Sequence, residues 1–395
     1  MSDNGKINVC YGIFDKNGTY AKVAGTSACS VFENTRQPVV VHIIHDSTLT
    51  ERNRRNFQEM ADSYGQEIFF YDVSTRWHYV WERFRKALPQ WVESRCTIGM
   101  FFRLVIGDIL PKAERAIYLD CDTVVNMDIG ELWECEAPES GIAAVADSFV
   151  QKHGTRVINN SLVMRSEYFN SGVLAIDLKK VTKVRNLADK VLNFVLSHEC
   201  EYPDQDALNY LFPHSAVLPA QYNTFVNEAR EGGQPIKACI YHYANNAFGM
   251  NMEDEFNALY FKFFTKTPWC DEIFIGNLVK SMNLAKMEML ILANLCAGKR
   301  RIIIGLASEE KSVAEIFDIT ARDIYIPLEE IVDFNLVFDI ESDIILAFLN
   351  ERDYEAVKRK LLSLGLTENV HFLNAAKQIG VADSRTDDYR FFLDS

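Results

Sequence analysis

A chain of 395 residues, 48% of them hydrophobic, can bury a sizeable core, which speaks against disorder and suits two or three domains of about 100–200 residues each. Its formal net charge of −14 argues against nucleic acid as a partner, because phosphate backbones attract basic surfaces. Nine scattered cysteines, an odd number without C-x-x-C spacing, argue against a zinc site or a disulfide framework and fit reduced thiols in the cytoplasm.

The opening segment, Met1 to Lys6, is polar and lacks the apolar region of a signal peptide. No apolar run approaches the roughly 18 residues that span a bilayer. Ile7 to Phe14 reads as the first strand, followed by a polar loop, Asp15-Lys16-Asn17-Gly18-Thr19, and a helix of small residues from Tyr20 to Glu33. Val39 to Ile44 is a continuous apolar run, the pattern of a parallel strand buried on both faces. Thr50 is placed to cap a helix whose face carries Asn53, Phe57, Met60, Ala61 and Tyr64 and which stops at Gly65. Ile68 to Tyr71 is the next strand. Strands alternating with helices predict right-handed βαβ units and a nucleotide-binding type of sheet, whose ligands bind at the carboxyl ends of the strands.

One such end carries the strongest local signal. The apolar run Ala116 to Leu119 stops at Asp120-Cys121-Asp122, and Thr123-Val124-Val125 resumes it. Carboxylates at i and i+2 converge on one hard cation when the backbone turns between them, and a cation held so also grips a diphosphate. The bland alternative is an acidic turn leaving a strand. Cys121, between the acids, is expected to point away from them and pack.

Further strands are expected at Ile142 to Ala146, Gly172 to Asp177 and Lys237 to Tyr241, with helical spacing from Val184 to Val195. Phe256 to Trp269 is dense in aromatics, with Lys262 and Lys266 interleaved. It suits either peripheral docking on a membrane surface or, preferably, a helix packed on its own domain. After about Asn277 the character changes. An apolar helix (Met282 to Cys296), a strand (Arg301 to Gly305), a helix (Lys311 to Phe317), strands at Ile324 to Pro327, Val337 to Phe338 and Ile344 to Phe348, and a helix from Tyr354 to Leu364 ending at Gly365 make a smaller α/β domain over 277–395, beside a first domain over 1–276. Gly305-Leu306-Ala307 lacks the glycines of a dinucleotide fingerprint.

Several motifs in order, from Ile7 to Trp269, resemble glycosyltransferase family 8, which includes glycogenin and bacterial lipopolysaccharide galactosyltransferases. They are Asn17-Gly18-Thr19-Tyr20-Ala21-Lys22, Phe102-Arg103-Leu104, Tyr118-Leu119-Asp120-Cys121-Asp122, Tyr168-Phe169-Asn170-Ser171-Gly172-Val173-Leu174, Asp204-Gln205-Asp206-Ala207-Leu208-Asn209 and Tyr241-His242-Tyr243. The resemblance implies an α/β chain with the GT-A nucleotide-diphospho-sugar transferase fold, whose central sheet is mixed and mainly parallel. It implies Asp120, Asp122 and His242 as ligands of Mn²⁺ (or Mg²⁺), with Mn²⁺ accepting the mixed oxygen and nitrogen set. Arg103 resembles the basic residue near the acid pair and the donor sugar. Tyr20 resembles the aromatic that stacks on uracil, with Asn17 and Asp15 as further nucleotide contacts. Asp147, Asn170 and Ser171 resemble residues that touch the sugar hydroxyls, and Asp204 and Gln205 the pair near the anomeric carbon. The structural alternatives are an ion pair for Arg103, a turn for Asn17, a helix start for Tyr20, a solvated loop acid for Asp147, a cap or turn for Asn170 and N-capping of a Gln205 to Leu211 helix for Asp204. The chain departs from the family after the histidine. It reads Tyr243-Ala244-Asn245-Asn246-Ala247-Phe248-Gly249-Met250-Asn251, without the lysine that binds the diphosphate in many members.

The implied reaction moves glucose or galactose from a UDP-sugar to a glycan, lipid-linked or protein-linked hydroxyl with retention of configuration. Gln205 is an amide and a poor nucleophile, which favours front-face attack with the leaving phosphate as base. Two rivals are a nucleotidyltransferase, which releases pyrophosphate, and a non-catalytic sugar-nucleotide or glycan-binding module, which the missing lysine favours. Analogy with bacterial surface-polysaccharide assembly places the protein in the cytoplasm or at the inner face of the membrane. The residues of 277–395 leave three roles open: docking an acceptor, a partner enzyme, or another copy of the chain as a homo-oligomer.

Overall fold

Seven strands of the first unit form one sheet, and the apolar runs explain which. They are β1 (Ile7–Ile13), β2 (Val39–His45), β3 (Glu67–Asp72), β4 (Arg115–Leu119), β6 (Ile142–Ala146), β7 (Phe169–Asp177) and β8 (Ala216–Leu218), in the order β3-β2-β1-β4-β7-β6-β8. Every pairing is parallel except those of β7, which runs antiparallel to β4 and β6. The sheet is thus mixed and mainly parallel. The computed structural model describes residues 5–16, 18, 20–89, 98–244, 252–276, 292, 296–307, 310, 322–328 and 338–375. The chain separates into two units at Asp271 and Glu272.

Helices α1 (Tyr20–Asn34), α2 (Glu51–Ser63), α3 (Ser148–His153), α4 (Leu187–Ser197), α5 (Pro203–Leu211) and α6 (Glu255–Phe264) belong to the first unit. Thr50 caps α2 by accepting from the Asn53 amide at 3.1 Å, as expected. Helix α1 is buried from Ala21 to Phe32, and its small residues allow that. A Cβ on Gly25 would lie 2.2 Å from the Trp269 ring. Gly25→Ala therefore forces overpacking, and we expect a lower urea midpoint equivalent to about 1–3 kcal/mol. An unchanged midpoint would show that the ring yields freely.

The aromatics around α6 settle against this surface: Phe256, Leu259, Tyr260, Phe263, Phe264 and Trp269 are all buried. Their apolar area is consumed inside the protein, as a helix packed on its own domain requires, and Phe261 stays half-buried. No helix among the described residues is long and apolar enough to cross one.

A second sheet, in the order β5-β10-β9, joins β5 (Thr123–Val125), β10 (Ile240–His242) and β9 (Thr224–Phe225). The expected strand Lys237 to Tyr241 is shorter and displaced. Its partner β5 has only three residues, and they pair with Ile240, Tyr241 and His242. The helix expected from Gln205 starts earlier, at Pro203, because proline occupies the first helical position, where its missing N–H costs nothing.

The second unit holds a parallel sheet, β12-β11-β13-β14, of β11 (Arg300–Gly305), β12 (Ile324–Pro327), β13 (Asp343–Ala347) and β14 (Phe372–Asn374), with helix α7 (Glu351–Ser363). Helix α7 begins three residues before the expected Tyr354 because Asn350 caps it, accepting from the Asp353 amide at 2.9 Å. Strand β14 was unsignalled, being only three residues long. Phe338 is not in a strand. The helices expected at 311–317 and, apart from Leu292 and Cys296, at 282–296 lie outside the described residues, as does Val337.

Candidate metal and donor site

The acid pair occupies the turn between β4 and β5. Thr123 Oγ1 donates to the Asp120 carbonyl at 2.9 Å and closes the turn from inside. Because β10 pairs antiparallel with β5 in the register His242↔Thr123, the imidazole is carried back onto the acids. His242 Nε2 lies 3.2 Å from Asp122 Oδ1 and 3.9 Å from Asp120 Oδ2. One ligand atom from each of the three residues lies within 4.8 Å of the others. Burial lowers the affinity of His242 for its proton, but the Asp122 carboxylate overrides it and holds the imidazole above its usual range. Asp122 is held low in turn: burial works against its charge, and the His242 pairing outweighs burial.

These residues fit a hard or borderline divalent cation. The donor set is two carboxylates and an imidazole. The backbone beside them leaves room: a Cβ on Gly172 would lie 2.4 Å from His242 Cε1 and 2.7 Å from Asp120 Oδ2. Cys121 turns its thiol the other way, toward the Gly12 carbonyl at 3.4 Å, as expected.

Arg103 comes from a 3-10 helix, Ile98–Val105, and is 5% exposed. Its guanidinium donates to Asp120 Oδ1 at 2.8 Å, to the Met100 carbonyl at 2.9 Å and to the Ser171 carbonyl, and lies 3.4 Å from Asp204 Oδ2. It also lies over the Tyr118 ring, 4.3 Å from the centroid. Burial opposes its charge, but Asp120 and Asp204 raise its proton affinity. The structural ion pair and the place beside the acids are therefore both realised. Tyr118 OH adds a second donor to Asp120 Oδ1 at 2.9 Å, which turns Oδ2 toward His242.

Helix α5 brings Asp204 and Gln205 to the same rim. Asp204 does not cap the helix: Tyr202 holds the cap position and Asp204 lies in the first turn. Burial pushes the Asp204 carboxyl up against the pull of Arg103. The Gln205 amide is fully engaged. Its oxygen accepts from the Ser171 amide at 2.9 Å, Asn170 Nδ2 at 3.1 Å and Ser171 Oγ at 3.3 Å, and its nitrogen donates to Asp147 Oδ2 at 3.0 Å. Asn170 Nδ2 donates to the same Asp147 oxygen at 3.0 Å. Asp147 is no solvated loop acid: it is buried, and it caps α3 by accepting from the Val150 amide at 2.9 Å.

Asp15 is buried at the end of β1, where burial pushes its carboxyl up. Its oxygens accept from the Ala21 amide at 3.1 Å and from Asn53 Nδ2 at 2.7 Å, which pins the loop before α1. Tyr20 lines the cleft with Gly12, Phe14, Asp122, Tyr202 and Asp204. Asn17 and the stretch 245–251 lie outside the described residues.

Asn223 carried no sequence signal, and Asp206 and Asn209 stood in a motif without an assigned role. Asn223 accepts from His242 Nδ1 at 3.0 Å, yet stands 19 residues away in a segment without a motif. Asp206 and Asn209 hold α5 to β7. Tyr168 OH donates to Asp206 Oδ1 at 2.6 Å, and Asn209 both accepts from and donates to the Phe169 backbone, at 2.8 and 2.9 Å. Their i+2 and i+5 spacing from Asp204 gave no hint of those partners.

Residues 13–247, more than half of the chain, match the family model described as glycosyl transferase family 8. General stress protein A of Bacillus subtilis is 26% identical over 63% of this chain and 91% of its own length. Lipopolysaccharide 1,2-glucosyltransferase of Escherichia coli is 30% identical over 56% of this chain and 64% of its own. For lipopolysaccharide 1,3-galactosyltransferase of Salmonella typhimurium the figures are 30%, 56% and 65%. The chain thus matches less than two thirds of the length of these two lipopolysaccharide enzymes. Among solved structures, galactosyltransferase LgtC in complex with donor and acceptor sugar analogs superposes with a TM-score of 0.56 at 20% identity, over 68% of this chain and 99% of that one. The first unit has the GT-A fold.

Proposed function

The chain belongs to glycosyl transferase family 8, and we propose that it transfers a hexose, glucose or galactose, from a UDP-sugar to a hydroxyl of a lipopolysaccharide-type glycan, with a divalent metal and with retention of configuration. The observation that carries this reading is the convergence of Asp120, Asp122 and His242 at the rim that also gathers Asp147, Asn170, Asp204 and Gln205. Family membership sets the nucleotidyltransferase alternative aside.

Asp120, Asp122 and His242 would hold Mn²⁺ or Mg²⁺, and the ion, when bound, supplies the positive charge that stabilises a UDP leaving group. The protein's own contribution is orientation. Arg103 fixes Asp120 and Asp204 at once, so the acid beside the cation and the acid beside the reacting sugar keep one spacing. Asp147 and Asn170 present a carboxylate and an amide, groups that suit the hydroxyls of a sugar ring. Gln205 is clamped by five hydrogen bonds with its oxygen already accepting three of them, and a group so held makes a poor nucleophile. That favours attack from the face of the departing phosphate, with the bound sugar held close to the acceptor hydroxyl.

The test is a panel of UDP-sugars with Mn²⁺, scoring UDP release with and without acceptor glycans. One UDP-hexose is expected to give UDP. EDTA is expected to abolish release and added Mn²⁺ to restore it. Binding of UDP-sugars without turnover under any condition would establish the non-catalytic alternative instead.

A further inference from the structure

We propose that Asn223 is a positioning residue that fixes the tautomer in which His242 meets the cation and ties that ligand to the residues that read the donor sugar; this rests on the metal-dependent reading above. Asn223 is oriented by its hydrogen-bond partner Asn170, 53 residues earlier in the chain. Two neighbours settle which way the Asn170 amide points. The Gly172 backbone N–H, which can only donate, gives its hydrogen to Asn170 Oδ1 at 2.9 Å. Asn170 Nδ2 donates to the Asp147 carboxylate at 3.0 Å. With Oδ1 fixed as an acceptor, the Asn223 atom 2.8 Å from it must be the amide nitrogen.

That orientation turns Asn223 Oδ1 toward His242 Nδ1, at 3.0 Å. An amide oxygen only accepts, so Nδ1 carries a hydrogen; once the ring is neutral, as a metal ligand must be, its lone pair is left to Nε2, the atom facing Asp122 and Asp120. The ring is also fixed in plane by Phe225, stacked at 5.3 Å. Asn170, Asn223 and His242 are all buried, so bulk water does not compete for these bonds. Gly172 closes the circuit: its N–H orients Asn170, and its carbonyl accepts from the Asp120 amide at 2.7 Å. An unbroken set of hydrogen bonds therefore runs from Asp147 and Gln205 through Asn170 and Asn223 to the imidazole. Metal-bound histidines characteristically hold their second nitrogen in this way.

Two substitutions separate the two bonds of Asn223. Asn223→Leu removes both. Asn223→Asp still accepts from Nδ1 but cannot donate to Asn170. Mn²⁺ titrations of the metal-free proteins, followed by the EPR signal of free Mn²⁺, are expected to show binding weakened about 10–100-fold in the leucine variant. The aspartate variant should bind Mn²⁺ like wild type and show its defect in KM for the UDP-sugar. The ¹⁵N spectrum of His242 in the neutral, metal-free wild type should be that of an Nδ1-protonated ring. Should wild type bind Mn²⁺ and a folded leucine variant bind it equally well, the Asn223 assignment falls while the metal reading stands. An aspartate variant that loses Mn²⁺ binding, or a ring protonated at Nε2 alone, would overturn it too. Wild type without Mn²⁺ binding would overturn both.

Discussion

Asp122→Asn is expected to abolish sugar transfer while leaving the fold intact. Asp122 sets one carboxylate oxygen 3.2 Å from His242 Nε2, and its charged partner at the turn is that imidazole. An asparagine keeps the shape but offers the cation a neutral oxygen, and the donor set drops from two charges to one. Removing one preorganised electrostatic group at a centre of developing charge costs about 10²–10³-fold in rate, so a loss of at least that size in kcat/KM for UDP release is expected. The fold should persist, but the metal-free variant loses the Asp122–His242 pairing, only partly offset by relief of repulsion between two acids one residue apart. Its thermal melt should therefore stay cooperative with a lowered midpoint. Full activity in the asparagine variant would sink the metal assignment.

Arg103→Met should damage stability as well as activity. The guanidinium is the cationic partner that Asp120 and Asp204 share, and it is 5% exposed. Methionine fills part of the volume but leaves Asp204 buried without a counter-charge. Breaking a buried pair by removing one partner costs about 3–5 kcal/mol, and the partial exposure of Asp120 points to the lower end. A double variant that also carries Asp204→Asn removes the orphaned charge. It should regain part of the stability lost in the single variant but none of the activity. If chemical denaturation of Arg103→Met follows wild type, the bridge contributes orientation alone.

What the sequence disclosed follows from the range of each interaction. Strands buried on both faces announce themselves as continuous apolar runs, so β1, β2 and β4 were readable, and the acids closing β4 stood out against them. Thr50 was readable as a cap because its partner, Asn53, is three residues away. Asn223 was not, because its partners are His242, 19 residues on, and Asn170, 53 residues back. Asp147 and Gln205, bonded across 58 residues, could be nominated only by resemblance to a family. The start of α5 was misplaced because an aspartate before a glutamine imitates a cap, whereas the proline before it already occupies the first turn. In the second unit β11, β12, β13 and α7 were legible from their sequence patterns and β14 was not, and no chemistry-bearing pattern marked a role.

The reversed strand β7 has one more consequence. Between Asp147 and Phe169 the chain leaves the sheet for residues 148–168 and then returns. Its two stumps are clasped at the sheet edge, where the Asp147 amide donates to the Tyr168 carbonyl at 2.9 Å and Asn170 Nδ2 to the Asp147 carboxylate at 3.0 Å. Loop closure costs little more as a loop lengthens, so the clasp tolerates what is strung between its ends. The excursion is in effect a cassette: its exposed length can diverge, while Val150 and Val157, which pack into the core, and the residues at its base keep their places.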